Sequence, residues 1–219
     1  MCNKIGKKMT AVIVCNGCIR DYSYYEKYFS EAEFVIGVDG GAMHLRKFGI
    51  QPDLMLGDFD SINEEDMGFF RGIGTEIMTF PAEKDMTDTE LALNVAVDRG
   101  YKKILIIGGL GTRADHSLSN IFLLKHLHEK NIKGVIVDEH NEIVLIDGKI
   151  ELRREKNVKV TLIPLSEKVE GVTTKGLYYP LDEATIEMGS TWGVSNEFAD
   201  DIAEVTIKKG LMLIIKARD

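Results

Sequence analysis

At 219 residues, with 44% hydrophobic and 28% charged residues, the chain has the composition of an ordinary soluble globular protein of one large or two small domains. Its net charge of −8 excludes a general nucleic-acid binder, which carries a basic face, but leaves room for an anionic nucleotide bridged by a cation. No run approaches the roughly 20 apolar residues of a membrane span, and no apolar stretch follows the early lysines as a signal peptide requires, so a cytoplasmic protein without a membrane partner is expected.

Apolar runs at 11–15, 34–38, 54–56, 76–80, 103–107 and 135–138 alternate with helical patterns, the signature of βαβ units and a parallel sheet. The first run ends at Asn16-Gly17. Cys2, Cys15 and Cys18 fit a reducing compartment. Cys15-Asn16-Gly17-Cys18 is a C-x-x-C pair, but neither a thioredoxin-like helix start nor a second ligand pair accompanies it, so it reads as a strand-end loop.

The second run leads into Asp39-Gly40-Gly41 and a helix from about Ala42, where two glycines let a ligand approach backbone beside a helix N-terminus. A tight turn with an Asp cap explains that junction equally well. The third run leads into Gly57-Asp58-Phe59-Asp60-Ser61. Two carboxylates about 4 Å apart repel by roughly 4 kcal/mol at an effective dielectric near 20. In extended backbone Asp58 and Asp60 point the same way and can share one cation, for which magnesium is the usual choice beside phosphate.

Lys84-Asp85-Met86-Thr87-Asp88 precedes a helix with a capping box, Thr87 as N-cap and Glu90 reaching back to it. Leu91, Ala92, Val95 and Ala96 share one face of this helix, which ends near Gly100. Capping does not explain Lys84 or Asp85; a lysine beside an acidic metal site suits phosphate oxygens. The stretch from Gly108 to His116 is glycine-rich, contains Arg113 and opens a helix over 117–130 that turns Leu118, Ile121, Phe122 and Leu124 to the sheet. It has neither the dinucleotide fingerprint nor the Walker ending, yet a glycine loop at a helix N-terminus suits phosphate. Four polar junctions on one sheet edge are hard to explain as four independent turns.

After about residue 140 the pattern becomes alternating, with Val160 and Leu162 and then Val205 and Ile207 facing one way. Turn signals stand at Asp147-Gly148, Glu170-Gly171, Lys175-Gly176 and Gly189-Ser190, and Lys209-Gly210 reads as the turn of a terminal hairpin returning through Leu211, Leu213 and Ile215. The expected architecture is a mostly parallel α/β domain over 1–140 and an antiparallel β-sandwich domain over 141–219.

The ordered set Asp39-Gly40-Gly41-Ala42, Gly57 to Ser61, Lys84 to Asp88 and Gly108 to His116 resembles the thiamine pyrophosphokinases, as do Lys175 to Leu181 and Gly193 to Phe198. The resemblance implies a magnesium-dependent enzyme that moves the diphosphoryl group of ATP to thiamine and releases AMP. It also implies a homodimer with thiamine near the subunit interface. By the same resemblance Asp58, Asp60, Asp85 and Asp88 are the catalytic acids, with Asp58, Asp60 and Asp85 on magnesium. Asp39, Gly40, Lys84, Thr87, Gly109, Gly111, Arg113, Asp115 and His116 serve ATP, and Trp192, Ser195 and Asn196 line the thiamine pocket. Thr112 departs from the family pattern, which has a second glycine there; its β-branched side chain disfavours a positive φ. The residues leave open a pyrophosphokinase for another heterocyclic alcohol such as a hydroxymethylpterin. They also leave open a D-x-D sugar transferase and a non-catalytic nucleotide or thiamine sensor.

Overall fold

Strands and helices alternate from residue 10 to residue 137, as the apolar periodicity predicts. The computed structural model describes residues 9–60, 62, 64–81, 83 and 85–219. Two compact units divide the chain, Met1–Glu139 and His140–Asp219.

In the first unit β1 (Thr10–Val14), β2 (Phe34–Val38), β3 (Leu54–Gly57), β4 (Glu76–Thr79), β5 (Lys103–Ile107) and β6 (Lys133–Val137) are parallel. Their order is β4-β3-β2-β1-β5-β6. Every position of β1, β2 and β3 is buried, which explains why these strands read as unbroken apolar runs: a parallel sheet is covered on both faces. Edge strand β4 is different, with its end residues exposed and Glu76 held by Arg99 at 2.8 Å.

Crossovers between the strands carry a 3-10 turn (Tyr22–Tyr25), α1 (Glu26–Phe29), α2 (Gly41–Phe48), α3 (Glu64–Gly72), α4 (Asp88–Asp98) and α5 (Ala114–Glu129). Helix α2 stops at Gly49, whose φ of 67° is left-handed; Gly49 N–H donates to Arg46 O and Ile50 N–H to Leu45 O, closing the last turn. The cap of α4 is as expected, Thr87 Oγ accepting from Glu90 N–H at 3.2 Å. Its buried side chains are Thr89, Ala92, Leu93 and Ala96, so the inward face is rotated from the one the spacing suggested, and Leu91 and Val95 are only half-buried. In α5 the correction is larger. Asn120, Leu123, Leu124 and Leu127 are buried while Leu118 and Phe122 are exposed, because the apolar residues there nearly encircle the helix and spacing alone does not choose a face.

The topology positions the site. From β1 the chain steps through β2 and β3 to β4, then returns to the far side of β1 with β5 and β6. The connection after β1 therefore crosses to β2 on one side and that after β5 to β6 on the other, the strand order at which a crevice forms at the carboxyl ends of the strands.

The second unit is antiparallel. One set of strands runs β7 (Asn141–Ile146), β13 (Met212–Ala217), β9 (Lys159–Pro164); the other runs β11 (Ala184–Glu187), β10 (Lys168–Lys175), β12 (Ile202–Thr206), β8 (Lys149–Arg153). The expected terminal hairpin is not formed: β12 pairs with β8 and β10, whereas β13 pairs with β7 and β9. Lys209-Gly210 instead carries the chain from one sheet to the other, and Asp147-Gly148 does the same between β7 and β8. Glu170-Gly171 is likewise no turn. It lies inside β10 where the register with β11 shifts, and Gly171 takes φ 67° to make the bulge.

Candidate active site

Five strand ends, not four, meet around one cleft of about 780 Å³. Asn16, Gly17 and Cys18 come from the end of β1, Asp39 from β2, Asp58 and Asp60 from β3, Thr87 and Asp88 from the approach to α4, and Gly109 to Arg113 from β5. Helical side chains also line it, His44 of α2, Thr89 of α4, and His116 and Asn120 of α5.

The loops after β1 and β5 are joined backbone to backbone. Cys15 N–H donates to Ile107 O and Gly17 N–H to Gly108 O, both at 2.8 Å. A side chain at Gly17 would strike the carbonyls of Gly108 and Leu110, and one at Gly108 would strike Cys15 O. Glycine is required at both places by contact, and at Gly108 by a φ of 66° as well. Thr112 does not have a positive φ, so the threonine is compatible with the loop as built.

The acidic loop after β3 is not extended. Phe59 has φ 60°, a left-handed conformation costing about 1–2 kcal/mol in a non-glycine residue. Its ring is buried with Ala42, Met55, Met67 and Phe70, and burial of a side chain that size contributes about 1.5–3 kcal/mol. The anchor outweighs the strain. Asp58 Oδ1 accepts from Asp60 N–H at 3.1 Å, and both carboxylates reach the cleft by this turn rather than by strand alternation. Asp39 is also left-handed, φ 46°, and its carboxylate fills the space where a Gly57 side chain would stand. Two strained residues side by side at strand ends mark a site whose geometry the fold over-determines.

Cys15 is buried, and burial pushes its thiol up to about 11; a hydrogen bond with Thr89 at 3.5 Å pulls the other way and Asp39 adds to the rise. A reactive pair needs a depressed thiol, so the C-x-x-C sequence is structural here. Arg113 is exposed and lies fork to fork on Asp115 at 2.6 and 3.2 Å, which holds the Asp115 carboxyl down at about 2 together with the His116 backbone. Gly111 N–H donates to Ser117 Oγ at 3.1 Å, and Asn120 Nδ2 donates to Gly109 O at 2.7 Å. Part of the glycine loop's hydrogen-bonding capacity thus goes to holding its own shape.

Two family models cover most of the chain. The one described as thiamin pyrophosphokinase, catalytic domain, matches residues 25–136, and the one described as thiamin pyrophosphokinase, vitamin B1 binding domain, matches residues 148–212. The chain belongs to the thiamine pyrophosphokinase family. A thiamine pyrophosphokinase of Bacillus subtilis is 36% identical over 194 residues, covering 88% of this chain and 91% of that protein. The crystal structure of thiamine pyrophosphokinase from Bacillus subtilis superposes with a TM-score of 0.87 at 32% identity, covering 96% of this chain and 99% of that one. That of the Geobacillus thermodenitrificans protein gives 0.82 at 32%, covering 96% and 98%. A Candida albicans thiamin pyrophosphokinase, 17% identical with a TM-score of 0.81 over 96% of this chain and 89% of that one, shares the fold.

Of the residues expected from the family pattern, the cleft brings together Asp39, Asp58, Asp60, Thr87, Asp88, Gly109, Gly111, Arg113 and His116. Gly40, Asp85 and Asp115 are not on its lining: Gly40 is buried under Asn16, while Asp85 and Asp115 are exposed. Lys84 and Ser61 lie outside the described residues. The expected cage of Asp58, Asp60 and Asp85 is not assembled; among the described residues no three of His, Cys, Asp and Glu converge as a metal site. In the second unit Trp192 and Ser195 are exposed, Ser195 with φ 60°. Asn196 is buried and occupied. Its Oδ1 accepts from Tyr179 N–H and Glu197 N–H, and its Nδ2 donates to Tyr179 O at 2.7 Å.

The sequence marks 16–18 only as a strand-end loop with no part in the site, and it does not single out His44 or Asn120. The loop carried the signal that found the other four, polar residues and glycine directly after an apolar strand. The two helical residues carried none, since what they bind is a carbonyl far away in sequence. Among the described residues no helix is long and apolar enough to cross a membrane.

Proposed function

We propose that the chain is a magnesium-dependent thiamine diphosphokinase that transfers the diphosphoryl group of ATP to the hydroxyl of thiamine, giving thiamine diphosphate and AMP. The observation that carries the reading is the cleft at the switch point between β1 and β5, where carboxylates and glycine loops from five strand ends face one space. It stands in a chain that matches both domains of the family.

In the reaction the thiamine oxygen forms a bond to the β-phosphorus, the bond from that phosphorus to the bridging oxygen breaks, and AMP leaves with the electron pair. Asp88, half-buried at the first turn of α4, is the carboxylate assigned to orient the alcohol and take its proton. Thr87 Oγ already accepts from Glu90 N–H, so its O–H is the group available to donate to a phosphate oxygen. Arg113, on release from Asp115, stabilises charge on the phosphates.

The donor set fits magnesium of a particular kind. Such an ion is commonly held by one or two carboxylates plus substrate phosphates and water, and Asp58 and Asp60 on the cleft lining suit that donor set. Asp58 and Asp60 are the residues that would hold it. Bound magnesium neutralises phosphate oxygens and makes the phosphorus under attack more electrophilic. Asp85, exposed and off the lining, is left out of this set.

Thiamine is assigned to the second unit, 140–219, where Trp192 offers a stacking face and Ser195 a hydroxyl. Asn196 serves there by clamping the Tyr178-Tyr179 segment. Tyr178, Tyr179, Trp192 and Val194 are all large, apolar and exposed, which supports a homodimer with the thiamine site near the subunit interface.

Incubation with ATP, magnesium and thiamine, followed by chromatography of the nucleotides, tests the reaction. AMP and thiamine diphosphate are expected; ADP refutes diphosphoryl transfer, and AMP formed with a hydroxymethylpterin but not with thiamine refutes the substrate. Asp58→Asn is expected to lower kcat by about a hundredfold or more with the circular dichroism spectrum unchanged. Near-normal turnover in that variant would overturn the role given to Asp58.

A further inference from the structure

His44 stands on α2, lines the cleft, and carries none of the chemistry assigned so far. Its ring is nevertheless fixed at both nitrogens. Nε2 lies 2.8 Å from Gly17 O, and Nδ1 lies 2.8 Å from the Tyr22 hydroxyl. A carbonyl only accepts, so Nε2 carries the proton and Nδ1 of the neutral ring accepts from Tyr22. Burial, the largest influence on the ring, favours the neutral form, and Lys47 adds to it against the Gly17 carbonyl and Glu139. Tyr22 is in turn seated edge-on against Phe48, the ring centroids 4.7 Å apart.

The carbonyl it holds is not an ordinary one. Gly17 is the residue whose N–H joins the β1 loop to Gly108 and whose missing side chain lets the two loops touch. The two peptides that flank its Cα are therefore each held, the Asn16–Gly17 amide to the β5 loop and the Gly17–Cys18 carbonyl to α2. Because the peptide is planar and trans, holding the Gly17 carbonyl also fixes the direction of the Cys18 N–H, the amide of a cleft-lining residue.

We propose that His44 is a positioning residue for the nucleotide: oriented by Tyr22, it holds the Gly17 carbonyl and thereby sets the floor of the cleft formed by the β1 and β5 loops. The inference rests on the reading of this cleft as the ATP site. Its consequence is selective. Loss of the Nε2–H lets the 16–18 loop shift against the glycine loop, which weakens ATP binding and leaves thiamine binding alone.

Steady-state kinetics with ATP and thiamine tests it, beginning with the wild-type protein, since absence of AMP formation there refutes the reading of the site and not the role of His44. His44→Leu is expected to raise KM for ATP about tenfold or more, a size reached by sub-ångström to ångström misplacement, with kcat and the KM for thiamine within about threefold of wild type. His44→Gln, which keeps an N–H donor near the Nε2 position, is expected to restore the KM for ATP to within about threefold. A wild-type KM for ATP in His44→Leu, or a glutamine variant as impaired as the leucine one, overturns the proposal. Should the leucine variant fail to fold, Tyr22→Phe decides, because it removes only the hydroxyl that orients the ring. A raised KM for ATP there supports the role and an unchanged one overturns it.

Discussion

Gly57 has no side chain for two reasons: the Asp39 carboxylate occupies the place where one would stand, and its φ of 153° is a backbone conformation that L side chains rarely adopt. Asp39 cannot simply move aside: its backbone is already left-handed, and its N–H and carbonyl are bonded to Leu56 O and Ala42 N–H at 3.0 and 3.1 Å. A methyl group at position 57 therefore displaces either the Asp39 carboxylate or the start of the Asp58–Asp60 turn. Gly57→Ala is expected to lower kcat/KM by about tenfold or more while the protein still folds. Gly72, at the end of α3 with open space around the site of a Cβ, provides the control, and Gly72→Ala should leave kcat/KM unaltered. Parallel AMP assays and circular dichroism on the two variants check this; equal activity would mean that the carboxylate is free to yield.

Elements were legible where local chemistry alone determines them. The parallel strands announced themselves as short unbroken apolar runs, and the α4 start did so through Thr87 and Glu90, because burial on both faces and capping each act within a few residues. What escaped was decided at a distance. Lys209-Gly210 has the composition of a hairpin turn, yet β12 finds its partners in β8 and β10 and β13 in β7 and β9, a choice made by the packing of a sandwich and invisible in the dipeptide. The turn at Phe59 was missed for the same reason, its left-handed backbone being held by a ring buried among α2, β3 and α3 residues. The end of β13 illustrates how such distant choices are secured. Glu155, before β9, accepts from Lys216 at 2.6 Å and from Arg218 at 2.7 Å, and Lys216 also reaches Glu142 of β7 at 3.1 Å. Burial alone would raise the Glu155 carboxyl, but the two cations outweigh it and hold it below the ordinary range. Burial likewise opposes the charge on Lys216, and its carboxylate partners raise it on balance. A depressed carboxylate contributes stability above its unfolded pKa near 4.5 and loses it as pH falls through the folded value. Glu155→Gln should thus be less stable at pH 7 by about 1 kcal/mol, discounted for partial exposure, or roughly 2–4 °C in Tm for a chain of this size. The difference from wild type should shrink as pH falls below about 4. Thermal melts of both proteins from pH 3 to pH 7 measure it, and a gap that stays constant across that range would count against the network.

The charge of the whole molecule bears on its two substrates in opposite ways. The chain carries a net −8, and among the described residues the cleft sets Asp39, Asp58, Asp60 and Asp88 against the guanidinium of Arg113. ATP remains anionic with magnesium bound, so it approaches against the field; thiamine, a thiazolium cation, approaches along it. At 10 mM salt that field reaches about 30 Å from the surface, and at 150 mM about 8 Å. Added potassium chloride at constant free magnesium should therefore lower the KM for ATP and raise the KM for thiamine, each by roughly two- to fivefold between those concentrations. General effects of salt on folding or on the chemical step would move both constants together, so the opposed signs are the diagnostic. A KM for ATP that instead climbs steadily with salt would mean that a local basic cluster captures the nucleotide and that its acidic surroundings are already neutralised by metal before it arrives.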